Sequence, residues 1–243
     1  MPKPVVIERR FRGPTESANG GYACGLLAAR LEGAGAAEVT LRAPPPLDRP
    51  LAAEPVGDRA RLLDGELLVA EAAPADAPEP ELPEPVSLDD ARRAREGSPM
   101  QSEHPYPECF VCGSQRKPGD GLCVTCGPVA GREVVAAPFE TDREMAGSDG
   151  SVRDELVWAA LDCPGGIAAM LVPDFGQSVL GRLRVSIRAP LEAGRDYVAV
   201  GWPISRDGRK FFAGAAIFDP ERGAALAVSE ATWIELREQP AAA

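Results

Sequence analysis

Between Leu156 and Val172 the chain carries a single charge, Asp162, among Leu, Val, Trp, Ala, Ile, Met, Cys and Gly. A helix lying on a protein surface shows a polar stripe every three to four residues. This run shows none, so the pattern predicts a helix buried on every side with one carboxylate inside. Ser151, three residues before Asp154, is placed to cap its start. The run is 17 residues long and is interrupted by Pro164-Gly165-Gly166, too short and too broken for a membrane span. A proline within a helix lacks the N–H and clashes with the carbonyl four residues back, here that of Ala160. The helix is therefore expected to kink or restart at Cys163–Gly166.

Elsewhere the pattern is mostly alternating. A short strand is expected over residues 4–11, then a helix capped by Asn19 and running to about Leu31. Residues 37–43 alternate, Leu51–Val56 is a further strand candidate, and Asp64-Gly65 marks a hairpin between residues 59–63 and 66–72. Residues 73–86 hold five prolines and four acids and read as an extended or disordered linker. Ser87-Leu88-Asp89-Asp90 opens one short helix that Gly97 stops. A strand over Glu133–Pro138 and a loop over Thr141–Gly150 lead into the apolar run. After Gly176 come strands over Val179–Ile187, Tyr197–Pro203, Lys210–Phe218 and Ala224–Leu236, the last three separated by Arg206-Asp207-Gly208 and by the turn at 219–223.

The order strand, apolar helix with Gly-Gly, then several strands occurs twice. Gly20-Gly21-Tyr22-Ala23 matches Gly165-Gly166-Ile167-Ala168, and Val39–Pro44 matches Val185–Pro190. Asp58-Arg59 matches Gly208-Arg209, and Val69–Ala72 matches Val228–Ala231. The offset grows from 145 (Gly20 to Gly165) to 159 (Val69 to Val228), with the added residues falling in turns. No one match carries weight in so Ala- and Gly-rich a chain. Four in the same order indicate an internal duplication.

This element order, with Asn19-Gly20-Gly21-Tyr22 at the first helix start and Asp162 in the middle of the second helix, resembles the tandem or double hotdog acyl-CoA thioesterases. The resemblance covers about residues 5–75 and 133–236. It implies an α+β fold, a double hotdog with an antiparallel sheet wrapped around two central helices. The divisions expected are an N-terminal hotdog (1–75), a Pro/Glu-rich linker with a short helix (76–103), a cysteine-rich insertion (104–132) and a C-terminal hotdog (133–243). The resemblance also implies a catalytic Asp at position 162. It implies Gly20 and Gly21 of the other half as oxyanion donors, because hotdog pockets form between paired halves. The family pairs its Asp with a Ser or Thr on the next strand and a Gln on the last, where this chain offers Ser178 and Glu230.

Composition narrows the chemistry. A net charge of −11 opposes binding to a phosphate backbone, so no nucleic-acid partner is expected. The first ten residues hold no apolar signal core, and no run is long enough to span a membrane, so a cytoplasmic protein without a membrane partner is expected. A homodimer is left open. The chain has one histidine, His104, which excludes multi-histidine metal sites and any Ser-His-Asp triad not built on it.

Thioester hydrolysis needs a group to activate water and donors for the developing oxyanion. Asp162 supplies the first as general base or nucleophile; the backbone N–H groups of Gly20, Gly21, Gly165 and Gly166 are candidates for the second. Asp162 could instead only cap the helix segment after Pro164. Asp174, eight to nine residues after the glycine pair, is the rival acid, and Glu230 would place a second carboxylate near Asp162. No organic cofactor is expected. Coenzyme A would be part of the substrate, its phosphates meeting Arg182, Arg184 and Arg188, which read equally well as a solvated sheet face. A non-catalytic acyl-thioester or lipid binder is the second reading. A hydratase is the third, disfavoured by the shortage of histidine.

Cys109-x-x-Cys112-Gly and Cys123-x-x-Cys126-Gly, ten residues apart, have the spacing of two zinc knuckles. In a reducing compartment such clusters are read as metal ligands rather than disulfides. The expectation is one structural zinc held by Cys109, Cys112, Cys123 and Cys126, with His104 able to replace one of them. Cys24 and Cys163, on the apolar helices, read as core residues.

Overall fold

A computed structural model describes residues 4–31 and 33–236. In chain order the elements are β1 (Val5–Val6), α1 (Gly20–Ala28), β2 (Ala37–Leu41), β3 (Pro50–Val56), β4 (Arg59–Asp64) and β5 (Leu67–Pro74). Then come α2 (Leu88–Glu96), β6 (Gly127–Pro128), β7 (Val135–Glu140) and α3 (Asp154–Ile167). The chain closes with β8 (Ser178–Ile187), β9 (Asp196–Asp207), β10 (Lys210–Phe218) and β11 (Ala225–Glu235).

The strands form one antiparallel sheet in the order β1-β3-β4-β5-β2-β8-β11-β10-β9-β7-β6. The two repeats meet at β2 and β8, which pair antiparallel with Val39 opposite Leu183. The sheet curls around α1 and α3, which lie against each other, and one apolar core runs through both halves. This is the two-helix, wrapped-sheet arrangement that the family resemblance implies.

Glycine sets how closely the helices approach. A Cβ at Gly21 would stand 2.5 Å from the Cβ of Asp162, and one at Gly25 would stand 2.6 Å from the Cα of Glu155. The two glycines, four apart, bare one stripe of α1 to α3. Asn19 caps α1, its side chain accepting from the N–H of Tyr22. The cap, the bare stripe and the close crossing together bring the start of α1 beside the middle of α3.

Helix α3 does not break at Pro164. It continues to Ile167 and ends in a 3-10 turn, Ala168–Leu171, so Asp162 caps no second segment. The lost hydrogen bond is tolerated because the rest of the helix is clamped. A Cβ on Gly201 of β9 would stand 2.1 Å from the carbonyl oxygen of Pro164, so the strand lies directly on the helix there. The cap before α3 is Arg153, with no side-chain bond, rather than Ser151.

Two other expectations change. The first strand shrinks to Val5–Val6, and Arg9–Phe11 forms a 3-10 turn. There Phe11 stacks on Tyr22 at 4.1 Å and meets Phe110 edge-on at 4.9 Å, so aromatic packing decides the conformation. Helix α1 ends at Ala28. Residues 75–86 run without regular structure along the outer face. Val86 is buried there, and the carbonyls of Pro78 and Pro85 accept from Arg188 and Arg132. Helix α2 follows, capped by Ser87, and covers the outside of β7 and β9 over a second apolar cluster with Val198, Val200 and Trp202.

The cysteine-rich segment is packed into the body. Phe110, Val111, Leu122 and Val124 are buried in the main core, and the N–H of Phe110 donates to the carbonyl of Arg12.

Candidate functional site

Asp162 lies on α3 and is 2% exposed. Its Oδ2 accepts two hydrogen bonds from the other half of the molecule, from Asn19 Nδ2 at 2.9 Å and from the N–H of Gly21 at 2.8 Å. Its Oδ1 is buried and has no partner among the described residues. Burial pushes the carboxyl up to about 7, opposed by the bond from Gly21; the charge of Cys109 raises it further, and the bond from Asn19 lowers it. A buried acceptor without a partner is rare in folded proteins and sets this carboxylate apart.

Asp162 is on the wall of a cavity of about 810 Å³ lined mainly by apolar side chains. Met170, Phe175, Leu180 and Trp233 form apolar wall, Gly20 and Asn19 contribute the start of α1, and His104 and Tyr106 come from the cysteine-rich segment. The Gly20 N–H, first of α1, has no acceptor among the described residues. The Gly21 N–H, expected as an oxyanion donor, is already committed to Asp162.

Three cysteines line the same cavity. The sulfurs of Cys109, Cys112 and Cys163 all lie within 4.8 Å of one another, and this group could hold a metal ion. The Sγ atoms of Cys109 and Cys163 are 3.8 Å apart. Hydrogen bonds from Cys112 and Cys163 hold the Cys109 thiol well below its ordinary range. Two groups donate toward the cluster. Asn19 Nδ2 is 3.8 Å from Cys163 Sγ, and His104 Nε2 is 3.3 Å from Cys112 Sγ. His104 Nδ1 accepts from the N–H of Tyr106 at 2.9 Å, so the proton of the neutral ring sits on Nε2, which donates to the sulfur. Burial lowers the affinity of His104 for a second proton.

The expected four-cysteine knuckle is corrected by this geometry. Cys123 and Cys126 are outside the cluster: Cys123 is half-buried with its sulfur toward the carbonyl of Gly121, and Cys126 is buried against the carbonyl of Ala199 on β9. Cys163 is a core residue, as expected, and its sulfur also joins those of Cys109 and Cys112. The knuckle pattern describes local turns only, whereas Cys163 arrives through the tertiary fold.

Other candidates are placed away from the cavity or in packing roles. Asp174 is exposed, with φ at 55°, in the turn after α3, and its carbonyl accepts from Arg206. Glu230 pairs with Arg184 across β11 and β8. Arg182 pairs with Glu38 at 3.5 Å, and Arg188 bonds the carbonyl of Pro78. None of these five lines the cavity. Gly165 and Gly166 sit inside α3, where N–H groups bond the helix's own carbonyls. A Cβ at Gly166 would stand 2.6 Å from the Trp233 ring, so this glycine makes room for the indole. Ser178 does line the cavity.

Three contributors were not assigned their roles from the sequence. The sequence marks Asn19 as a helix cap, although a side chain with both an acceptor and a donor can cap and reach across at once. Cys163 was not linked to the other cysteines, although its position next to Asp162 tied it to the candidate site. Trp233, whose buried Nε1 has no partner among the described residues, gave no separate signal.

No family model matches the sequence, and no curated protein does. Solved structures do share the architecture. A candidate thioesterase II from Thermobifida fusca YX superposes with a TM-score of 0.57 at 14% identity, covering 93% of this chain and 91% of that one. The tesB protein of Mycobacterium avium subs paratuberculosis gives 0.56 at 14% identity, covering 93% and 90%. At these identities the likeness carries the fold alone, and it extends across both halves: the chain has a double hotdog fold. No helix among the described residues is long and apolar enough to cross a membrane.

Proposed function

We propose that this protein hydrolyses an acyl thioester, such as an acyl-CoA, with Asp162 activating the attacking water. The observation that carries the reading is the division of labour on one carboxylate. Oδ2 is fixed by Asn19 and Gly21 from the opposite half, Oδ1 is buried with no partner among the described residues, and the residue that carries both lines a largely apolar cavity. Such a cavity suits an acyl chain.

In the general-base form, a water beside Oδ1 attacks the thioester carbonyl carbon and passes its proton to Asp162. The carbonyl π pair moves onto oxygen. In this reading the Gly20 N–H, at the positive end of α1, donates to that oxyanion. The C–S bond then breaks, and the proton on Asp162 leaves with the thiolate as a thiol. If Asp162 acts instead as nucleophile, its carboxylate oxygen attacks the carbonyl carbon and the C–S bond breaks, the thiolate leaving and taking a proton from solvent; water then opens the mixed anhydride, releasing the carboxylic acid and restoring the Asp162 carboxylate. Independently of the hydrolysis, the cysteine cluster is assigned zinc, a divalent ion that thiolate ligands select.

A panel of acyl-CoAs assayed for free thiol tests the reading. Wild type should release thiol, and Asp162→Asn should lower the rate roughly a hundred- to ten-thousand-fold. Full activity in Asp162→Asn overturns it. A second reading, a non-catalytic acyl-thioester binder, is favoured by one feature: Asn19 is the sole side chain that bonds the carboxylate among the described residues. Tight acyl-CoA binding without thiol release by wild type would establish that reading.

A further inference from the structure

The sulfur cluster combines three features not explained by thioester hydrolysis. The first is spacing. Two thiolates bound to one tetrahedral zinc, each at about 2.3 Å, stand about 3.8 Å apart. Cys109 and Cys163 are separated by 3.8 Å, and Cys112 completes a triangle with every edge within 4.8 Å. A disulfide would need sulfurs at about 2 Å, so this spacing suits ligands around a common centre.

The second feature is the surroundings. Metal-bound ligands are usually oriented by hydrogen bonds from groups behind them. Here His104 Nε2–H donates to Cys112, and the Asn19 amide lies beside Cys163. Two donors behind the sulfurs are the outer layer that a metal centre uses to orient its ligands. His104 belongs to this outer layer: it is not part of the group of ligand atoms within 4.8 Å of one another, and its Nδ1 is occupied as an acceptor from Tyr106. A zinc-bound Nε2 would place the ring proton on Nδ1, directly against the Tyr106 N–H.

The third feature is where the triangle lies. All three cysteines line the cavity that Asp162 lines, and they come from two separate parts of the chain, the cysteine-rich segment and α3. Structural zinc sites close their shell with four protein ligands, whereas sites with three keep a position for water or an incoming ligand. No fourth Cys, His, Asp or Glu joins this triangle among the described residues.

We propose that Cys109, Cys112 and Cys163 bind one zinc ion as a three-thiolate site whose fourth position opens to the cavity and accepts a water or an exogenous thiol. Zinc loading releases the protons still held by the sulfurs and involves no change of oxidation state. The ion fastens the cysteine-rich segment to α3 one residue from Asp162. This assignment does not rest on hydrolysis and survives if the protein only binds its ligand.

Zinc analysis and zinc-edge X-ray absorption on the full chain, expressed with zinc supplied, test the proposal. The expected result is about one equivalent of zinc. The absorption spectrum should show three sulfur neighbours and one lighter atom without the outer-shell signature of imidazole. Added 2-mercaptoethanol should convert the lighter neighbour into a fourth sulfur. Cys123→Ser and Cys126→Ser should keep the zinc, and Cys163→Ser should lose it. Less than half an equivalent, four sulfurs before thiol is added, an imidazole signature, or no response to the thiol would each overturn the proposal. These spectra are taken on the unsubstituted chain, so the test stands even if Cys163→Ser fails to fold.

Discussion

Asp162 is fixed at one oxygen and open at the other, and the residue that does most to create this state is Asn19. One side chain performs two tasks: its Oδ1 accepts from the Tyr22 N–H to cap α1, and its Nδ2 donates to Asp162 across the boundary between halves. Asn19→Ala removes both. The cap is worth about 1 kcal/mol and a bond to a buried carboxylate somewhat more, so the substitution should cost about 2–4 kcal/mol. A urea-unfolding midpoint reads this directly. Thiol release should fall as well, because Oδ2 would be left with the Gly21 N–H alone. Unchanged stability would show that the amide is not engaged as described.

At the scale of elements, the crossing of α1 over α3 depends on missing side chains. Gly25→Ala would drive a methyl to 2.6 Å from the Cα of Glu155, and backbone cannot rotate away as a side-chain tip can. The expected cost is about 1–3 kcal/mol. Gly35→Ala is the matched control, since nothing lies within 4 Å of its would-be Cβ, and it should change stability by less than about 0.5 kcal/mol. Thermal melts of the two variants should separate clearly; equal melting points would contradict the close crossing. The elements themselves were largely legible in the chain. Alternation located the strands, and the lone charge in an apolar run located both α3 and Asp162. What the pattern could not supply was facing and distance. Glu230 sits two residues from Val228, whose side chain packs under α2 on the outer face, and it shares that face, away from the cavity. Sequence proximity to an expected Gln position could not reveal this, because one residue of register exchanges the two faces of a strand. The cysteines teach the same point. C-x-x-C spacing identified Cys109 and Cys112 but favoured the neighbouring pair as partners, whereas the third sulfur comes from a helix 51 positions beyond Cys112 (Cys163).

At the scale of the whole molecule, the two halves share one sheet and one core. The β2–β8 pairing runs the sheet across the boundary, Gly21 and Gly25 press α1 onto α3, and Phe110 ties the cysteine-rich segment to Phe11 and Tyr22 of the first half. A single core cluster contains residues from all three parts. Such a body should unfold as one cooperative unit despite its length. The sequence offers a convenient probe, because its three tryptophans, Trp158, Trp202 and Trp233, all lie in the second half. Tryptophan fluorescence therefore follows that half alone, whereas far-ultraviolet circular dichroism follows the strands and helices of both. Denaturant titrations of the full chain should give coincident midpoints and slopes by the two probes. A fluorescence transition displaced from the dichroism transition would mean that the second half loses its packing independently. In that case the hydrogen bonds from Asn19 and Gly21 could not be what holds Asp162 in place up to the point of global unfolding.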